Sequence, residues 1–125
     1  MKYLSTRNNK LKKNFDDILF QGLSMDGGLF LPLKWPQIDV NSLRDKSYEE
    51  VALNVIYPYV KKEIPLVDLN KIIQVTYKKF TNSKIAPLVN IEKNKYILEL
   101  FYGPTLAFKD YALQFLGNLF DYCID

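Results

Sequence analysis

The apolar spacing of this chain changes period once, at the polar run Thr81-Asn82-Ser83-Lys84. Ahead of that run, Leu69, Ile72, Ile73, Tyr77 and Phe80 recur at helical intervals opposite Lys71, Lys78 and Lys79. Such a stripe predicts an amphipathic helix with one buried face. Another helix is predicted upstream, where Tyr48, Val51, Ala52, Val55, Ile56, Tyr59 and Val60 share a face. Ser47 and Glu50 have capping-box spacing at its head, and Pro58 should end or kink it. Behind the polar run, residues 86–91 and 95–101 suggest two strands around Lys93-Asn94, a hairpin if the turn is tight. A last helix should place Phe108, Ala112, Phe115, Leu116, Leu119 and Cys123 on one face. The expected class is therefore α/β, with a mainly helical part over residues 1–82 and a strand-and-helix part over 83–125.

The first third is predicted to be shorter pieces. Residues 2–6 could form a short strand. Asn14 suits the N-cap of a short helix whose positive end would face Asp16 and Asp17, with Gly22 as its stop. Ser24-Met25-Asp26-Gly27-Gly28 is a turn sequence before apolar Leu29-Phe30-Leu31, and Pro32 and Pro36 keep the next segment extended. Lys2, Arg7, Lys10, Lys12 and Lys13 precede the first acid, Asp16, and are expected to form a solvated basic arm. This arm lacks the apolar centre of a secretion signal.

Composition removes several kinds of chemistry. The chain has no histidine and a single cysteine, Cys123. Histidine-dependent triads and histidine-ligated zinc are excluded within it, no metal site is expected, and no intramolecular disulfide can form. Lone-cysteine usage fits a reducing, cytoplasmic setting. The net charge of +3 is scattered, and only Arg7 and Arg44 offer a guanidinium fork. Nucleic acid is therefore not an expected partner. No apolar run approaches the roughly 18 residues that a membrane span requires.

The segment with the most chemical content runs from Glu99 to Asp110, Glu-Leu-Phe-Tyr-Gly-Pro-Thr-Leu-Ala-Phe-Lys-Asp. Its pattern predicts a buried strand, a Gly103-Pro104-Thr105 corner and a helix with Lys109 on the first turn. A lysine set between Phe108 and Tyr111 suits chemistry that needs a fixed amine against apolar walls. Forming a Schiff base is one such use, because desolvation and a helix N-terminus both favour the neutral amine over the ammonium. Asp110 would oppose this if it turned toward the amine. Consecutive helical residues point about 100° apart, so it is expected to point elsewhere. Gly103 and Pro104 are expected only to turn the chain, and Thr105 to cap the helix through its hydroxyl. Spacing alone favours a solvated first-turn lysine over this use.

Residues 98–110 with the following Tyr-Ala-Leu-Gln-Phe-Leu-Gly117 resemble the lysine segment of threonine synthase. Upstream, Tyr3-x-Ser5-Thr6-Arg7 and Gly22-Leu23-x-x-Asp26-Gly27-Gly28-Leu29-Phe30-x-Pro32 are similar to that family's opening motifs in order and spacing. The resemblance implies a pyridoxal 5'-phosphate enzyme of the tryptophan-synthase-like fold (fold type II). It would convert O-phospho-L-homoserine and water into L-threonine and phosphate, in threonine biosynthesis. By position, Lys109 would be both the cofactor-binding and the catalytic residue, holding the cofactor covalently and then moving protons. Residues 1–82 would be the N-terminal domain, and 83–125 the incomplete start of the catalytic domain.

Two positions depart from the family pattern. Tyr102 stands where histidine is frequent, and a tyrosine is not a cation near neutral pH. Asn8 stands where glycine is usual, a mild change if the backbone there is left-handed. The family's glycine- and asparagine-rich phosphate loop and its pyridine-nitrogen partner would lie beyond residue 125. The chain is thus expected to be an N-terminal portion, inactive alone, with its apolar last helix awaiting cover. Two alternatives are a short chain that binds a partner such as the full-length enzyme, and a related phospho-lyase with a different product.

Overall fold

A computed structural model describes residues 1–124. Three short strands, β1 (Tyr3–Ser5), β2 (Lys12–Lys13) and β3 (Phe30–Pro32), form an antiparallel sheet in the order β2-β1-β3. Between β2 and β3 lies helix α1 (Phe15–Gln21). The Asp17 carboxylate accepts from the Asn14 amide, and Gly22 ends the helix at φ 70°. Lys2, Arg7, Lys10 and Lys12 of the basic arm are exposed as expected, and its end is folded back as an edge strand in which Lys12 and Lys13 pair with Leu4 and Tyr3.

Two long helices follow, α2 (Tyr48–Val60) and α3 (Leu66–Tyr77). The expected capping box closes α2, with the Glu50 amide donating to Ser47 Oγ and the Ser47 amide to Glu50 Oε2. Pro58 lies inside the last turn without ending the helix. Its missing N–H leaves only the Asn54 carbonyl without its usual partner, so the cost is local. The predicted face of α3 is the observed one: Leu69, Ile72, Ile73 and Tyr77 are buried, and Phe80 just beyond joins them. With Val60, Ile64, Ile85 and Leu119 they form the core. Each fully buried aliphatic side chain stabilises the fold by about 1.5–3 kcal/mol relative to exposure. The small sheet is pinned to this core by Tyr3, whose hydroxyl donates 2.9 Å to the Tyr59 carbonyl in the last turn of α2. That carbonyl has no partner within the helix. Burial, then the neighbouring Glu63 and Tyr59, push the Tyr3 phenol up to about 12.

The hairpin is present as β4 (Leu88–Glu92) and β5 (Lys95–Leu98), with Asn94 at φ 62° in its turn. It differs from expectation in burial: every residue of both strands is exposed, and β5 ends at Leu98. An isolated two-stranded ribbon has no second layer to bury against. Helix α4 (Asp110–Ile124) packs on α3. Its inner row is Tyr111, Phe115, Leu119 and Tyr122, while Phe108 is 65% exposed and Ala112 is also exposed. The observed face is rotated from the predicted one, and Phe108 falls outside it because the helix begins at Asp110. A part-buried polar contact joins α3 and α4: Asn118 Nδ2 donates 2.8 Å to Thr76 Oγ1, which donates to the Ile72 carbonyl. No helix among the described residues is long and apolar enough to cross a membrane.

Candidate active site

The loop from Gly103 to Lys109 connects β5 to α4 and is closed by hydrogen bonds from within. The Asp110 carboxylate turns back into it. Its Oδ2 accepts from the Thr105 amide at 2.8 Å and the Thr105 hydroxyl at 2.9 Å, and Oδ1 accepts from Gln114 Nε2 at 3.4 Å. Asp110 is only 3% exposed. Burial pushes its carboxyl up, but the hydrogen bonds from Thr105, followed by those from Gln114 and the Ala107 region, outweigh it and hold the group below the ordinary value. The capping relation is thus the reverse of the expected one: Thr105 is the donor and Asp110 the acceptor.

Gly103 does more than turn the chain. It is buried, and a β-carbon on it would overlap the Asp110 carboxylate. The Leu106 amide donates 3.1 Å to the Gly103 carbonyl, and Leu106 itself sits at φ 62°. That region is uncommon for a residue other than glycine, so the loop's hydrogen bonds must hold it there.

Lys109 occupies the position before the helix, not its first turn. Its carbonyl accepts the first helical bonds, from Ala112 at 3.2 Å and Leu113 at 2.9 Å. Its side chain is exposed in this chain, so the expectation of shelter between Phe108 and Tyr111 is corrected. Phe108 is itself exposed, as is Leu106 at 69%. Among the described residues Lys109 has no ion pair, and Asp110 is turned away from it as expected. Lys109 also lies outside both the roughly 830 Å³ cleft lined by Asp16, Phe20, Glu63, Tyr122 and Cys123, and the apolar groove along α2.

The ends of the loop are tied to the helical part. Thr81 donates its amide to the Tyr102 carbonyl at 3.0 Å, and Tyr77 donates its hydroxyl to the Tyr111 carbonyl at 3.0 Å. Tyr102 donates 2.6 Å to Glu99 Oε2, a bond that raises its phenol, with burial adding to it. The Thr81–Tyr102 and Tyr77–Tyr111 tethers are not visible in periodicity, because each joins residues brought together only by the fold, whereas Tyr102 and Glu99 are three residues apart. The five-residue interval from Thr105 to Asp110 is the one local signal that could expose the lock.

The two opening motifs also meet. Ser5 Oγ donates to the Asp26 carboxylate at 2.7 and 2.9 Å, the Gly28 amide donates to the same group at 2.9 Å, and Arg7 Nη1 donates 3.0 Å to the Asp26 carbonyl. Across them, Thr6 and Leu29 exchange bonds through Thr6 N to Leu29 O and Leu29 N to Thr6 Oγ1. A β-carbon on Gly28 would overlap Ser5 Oγ. The turn expectation for residues 24–28 holds, with Gly27 at φ 75°. Asn8, by contrast, is not left-handed; its Oδ1 accepts from the Lys10 amide.

A family profile described as the threonine synthase N terminus matches residues 2–77. Threonine synthase from Pseudomonas aeruginosa is 42% identical over 127 aligned residues, covering 99% of this chain and 27% of that protein. The crystal structure of a PLP-bound threonine synthase from Brucella melitensis superposes with a TM-score of 0.95 at 45% identity, covering 99% of this chain and 27% of that one. The yeast threonine synthase structure gives a TM-score of 0.89 at 42% identity, over 97% of this chain and 26% of the other. The chain therefore spans about a quarter of the length of the relatives it matches, within their N-terminal portion.

Proposed function

This chain belongs to the threonine synthase family, and from that premise we propose that it is the N-terminal part of a pyridoxal-phosphate-dependent lyase acting in threonine biosynthesis. The substrate is O-phospho-L-homoserine, and water replaces its phosphate to give L-threonine. Lys109 is the residue that holds the cofactor. Residues 1–82 form the N-terminal domain and 83–125 begin the catalytic one, in a cytoplasmic enzyme. The observation that carries this reading is the presentation of Lys109 at the head of α4, on a loop whose conformation is fixed by hydrogen bonds.

The residues present fit an aldehyde cofactor. Lys109 offers an exposed amine with no ion pair among the described residues, flanked by apolar Leu106 and Phe108. The exposed apolar ribbon, including Leu88, Ile91, Ile97 and Leu98, supports a role as the surface on which the rest of the catalytic domain packs. That cover would supply the desolvation that an amine nucleophile requires. When bound, the cofactor supplies the electron sink for carbanion chemistry. This chain supplies the amine, its direction, and the tether between the loop and the helical part.

The test is borohydride reduction of the full-length protein loaded with pyridoxal phosphate, followed by peptide mass mapping. The expected result is one cofactor adduct on Lys109, absent from Lys109→Ala, together with phosphate release from O-phospho-L-homoserine only in the unsubstituted protein. An adduct on another lysine that supports turnover would remove Lys109 from the reading. Product identification separates threonine synthesis from a lyase with another product.

A further inference from the structure

We propose that Asp110 is the positioning residue for Lys109, acting through the Thr105 lock that fixes the loop in front of α4. The inference rests on the reading of Lys109 as the cofactor lysine. Three features of the loop converge on it. Asp110 is buried, has no cationic partner among the described residues, and spends one oxygen entirely on the two Thr105 donors. Gly103 leaves room for that carboxylate and no room for a β-carbon. Leu106, between them, is held in a left-handed conformation by the same closure.

The geometry couples the two neighbours. Asp110 is the first residue of α4 and Lys109 immediately precedes it. With the Asp110 carboxylate fixed inward on Thr105, the backbone between them is fixed as well, and Lys109 is left on the outer side of the corner. A carboxylate suits this task because one oxygen can accept from both an amide and a hydroxyl while the other receives Gln114. An attacking amine gains rate from being held near its target, and misplacement by about 1 Å can cost on the order of a hundredfold.

The experiment uses the full-length protein and separates positioning from simple structural support. Borohydride trapping measures the rate at which pyridoxal phosphate becomes linked to Lys109. Binding of pyridoxamine phosphate, which has no aldehyde and cannot link, measures the integrity of the binding site. Asp110→Ala and Thr105→Val should slow linkage at least about tenfold, toward the cost of misplacement, while analogue affinity stays within about twofold. Thr105→Ser, which keeps the hydroxyl, should restore the rate. If Asp110→Ala does not fold, the Thr105 pair carries the test, since it changes one exposed side chain. Linkage rates at the unsubstituted level in Thr105→Val, or equal losses of linkage and analogue binding, would overturn the positioning role and leave the cofactor assignment standing. No linkage to Lys109 in the unsubstituted protein would overturn both.

Discussion

The Tyr111 hydroxyl donates a 2.7 Å hydrogen bond to the carbonyl of Ile85, whose backbone lies at φ 59°. A β-branched residue is rarely found in the left-handed region, and holding it there costs on the order of 1–3 kcal/mol. Ile85 is nevertheless 3% exposed and part of the core, so burial of its side chain and the tie from Tyr111 together maintain the bend. That bend sends the chain from the helical part into the hairpin.

Tyr111→Phe should therefore destabilise the protein by about 1–3 kcal/mol, since a part-buried carbonyl loses its donor. Urea denaturation would register this as a lower midpoint with an unchanged slope. A midpoint equal to that of the parent protein would mean that core burial alone holds Ile85.

Truncation of the core is expected to cost more. Leu69 is fully buried on α3, and Leu69→Ala should lose about 2–5 kcal/mol through lost transfer energy and a residual cavity. Val67, on the same helix but 64% exposed, should tolerate alanine within about 0.5 kcal/mol. Thermal melts of the two variants would check the contrast, which follows from burial alone.

Asp26 gives the knot between the opening motifs a pH signature. The Ser5 hydroxyl, then the Gly28 amide, hold its carboxyl below the ordinary value. A carboxyl depressed in the folded state contributes stability that is fully present above its unfolded value, near 3.9 for aspartate. That contribution is lost as pH falls through the lower folded value. Asp26→Asn should thus flatten the acid side of the stability curve below about pH 4 and leave its shape near neutrality unchanged. An acid limb as steep as the parent's would place the linkage on other carboxylates.

The elements most legible in the sequence are those whose signals are local. The α3 stripe from Leu69 to Phe80, the Ser47–Glu50 box, the Asn14 and Gly22 boundaries and the Lys93-Asn94 turn all depend on neighbours within a few residues. Lys12–Lys13 is not legible as a strand, because two residues carry no period and lysine pairs resemble solvated chain. The rotation of α4 is hidden because Tyr111, Leu113, Phe115, Leu116, Leu119 and Phe120 leave that helix apolar on several sides, so spacing cannot select a face. The segment around Lys109 stands out by its motif, but the surroundings of the Lys109 side chain do not. Shelter depends on what packs over Phe108 and Leu106, which no local pattern encodes.

Two glycines of the last segment test this account of the site from opposite directions. Gly117 lies inside α4, exposed, with nothing within 4 Å of the place a β-carbon would take, so Gly117→Ala meets no clash. Alanine restricts the unfolded chain and favours helix, and stability should rise by about 0.4–1 kcal/mol. Gly103 is not at positive φ but faces the Asp110 carboxylate. Gly103→Ala must push that group off Thr105, with an overpacking cost of about 1–3 kcal/mol. Both substitutions add the same methyl group, so opposite shifts in melting temperature would isolate the Gly103–Asp110 approach as the cause. A stabilising Gly103→Ala would show that the loop accommodates a side chain and that the lock is looser than its hydrogen bonds imply.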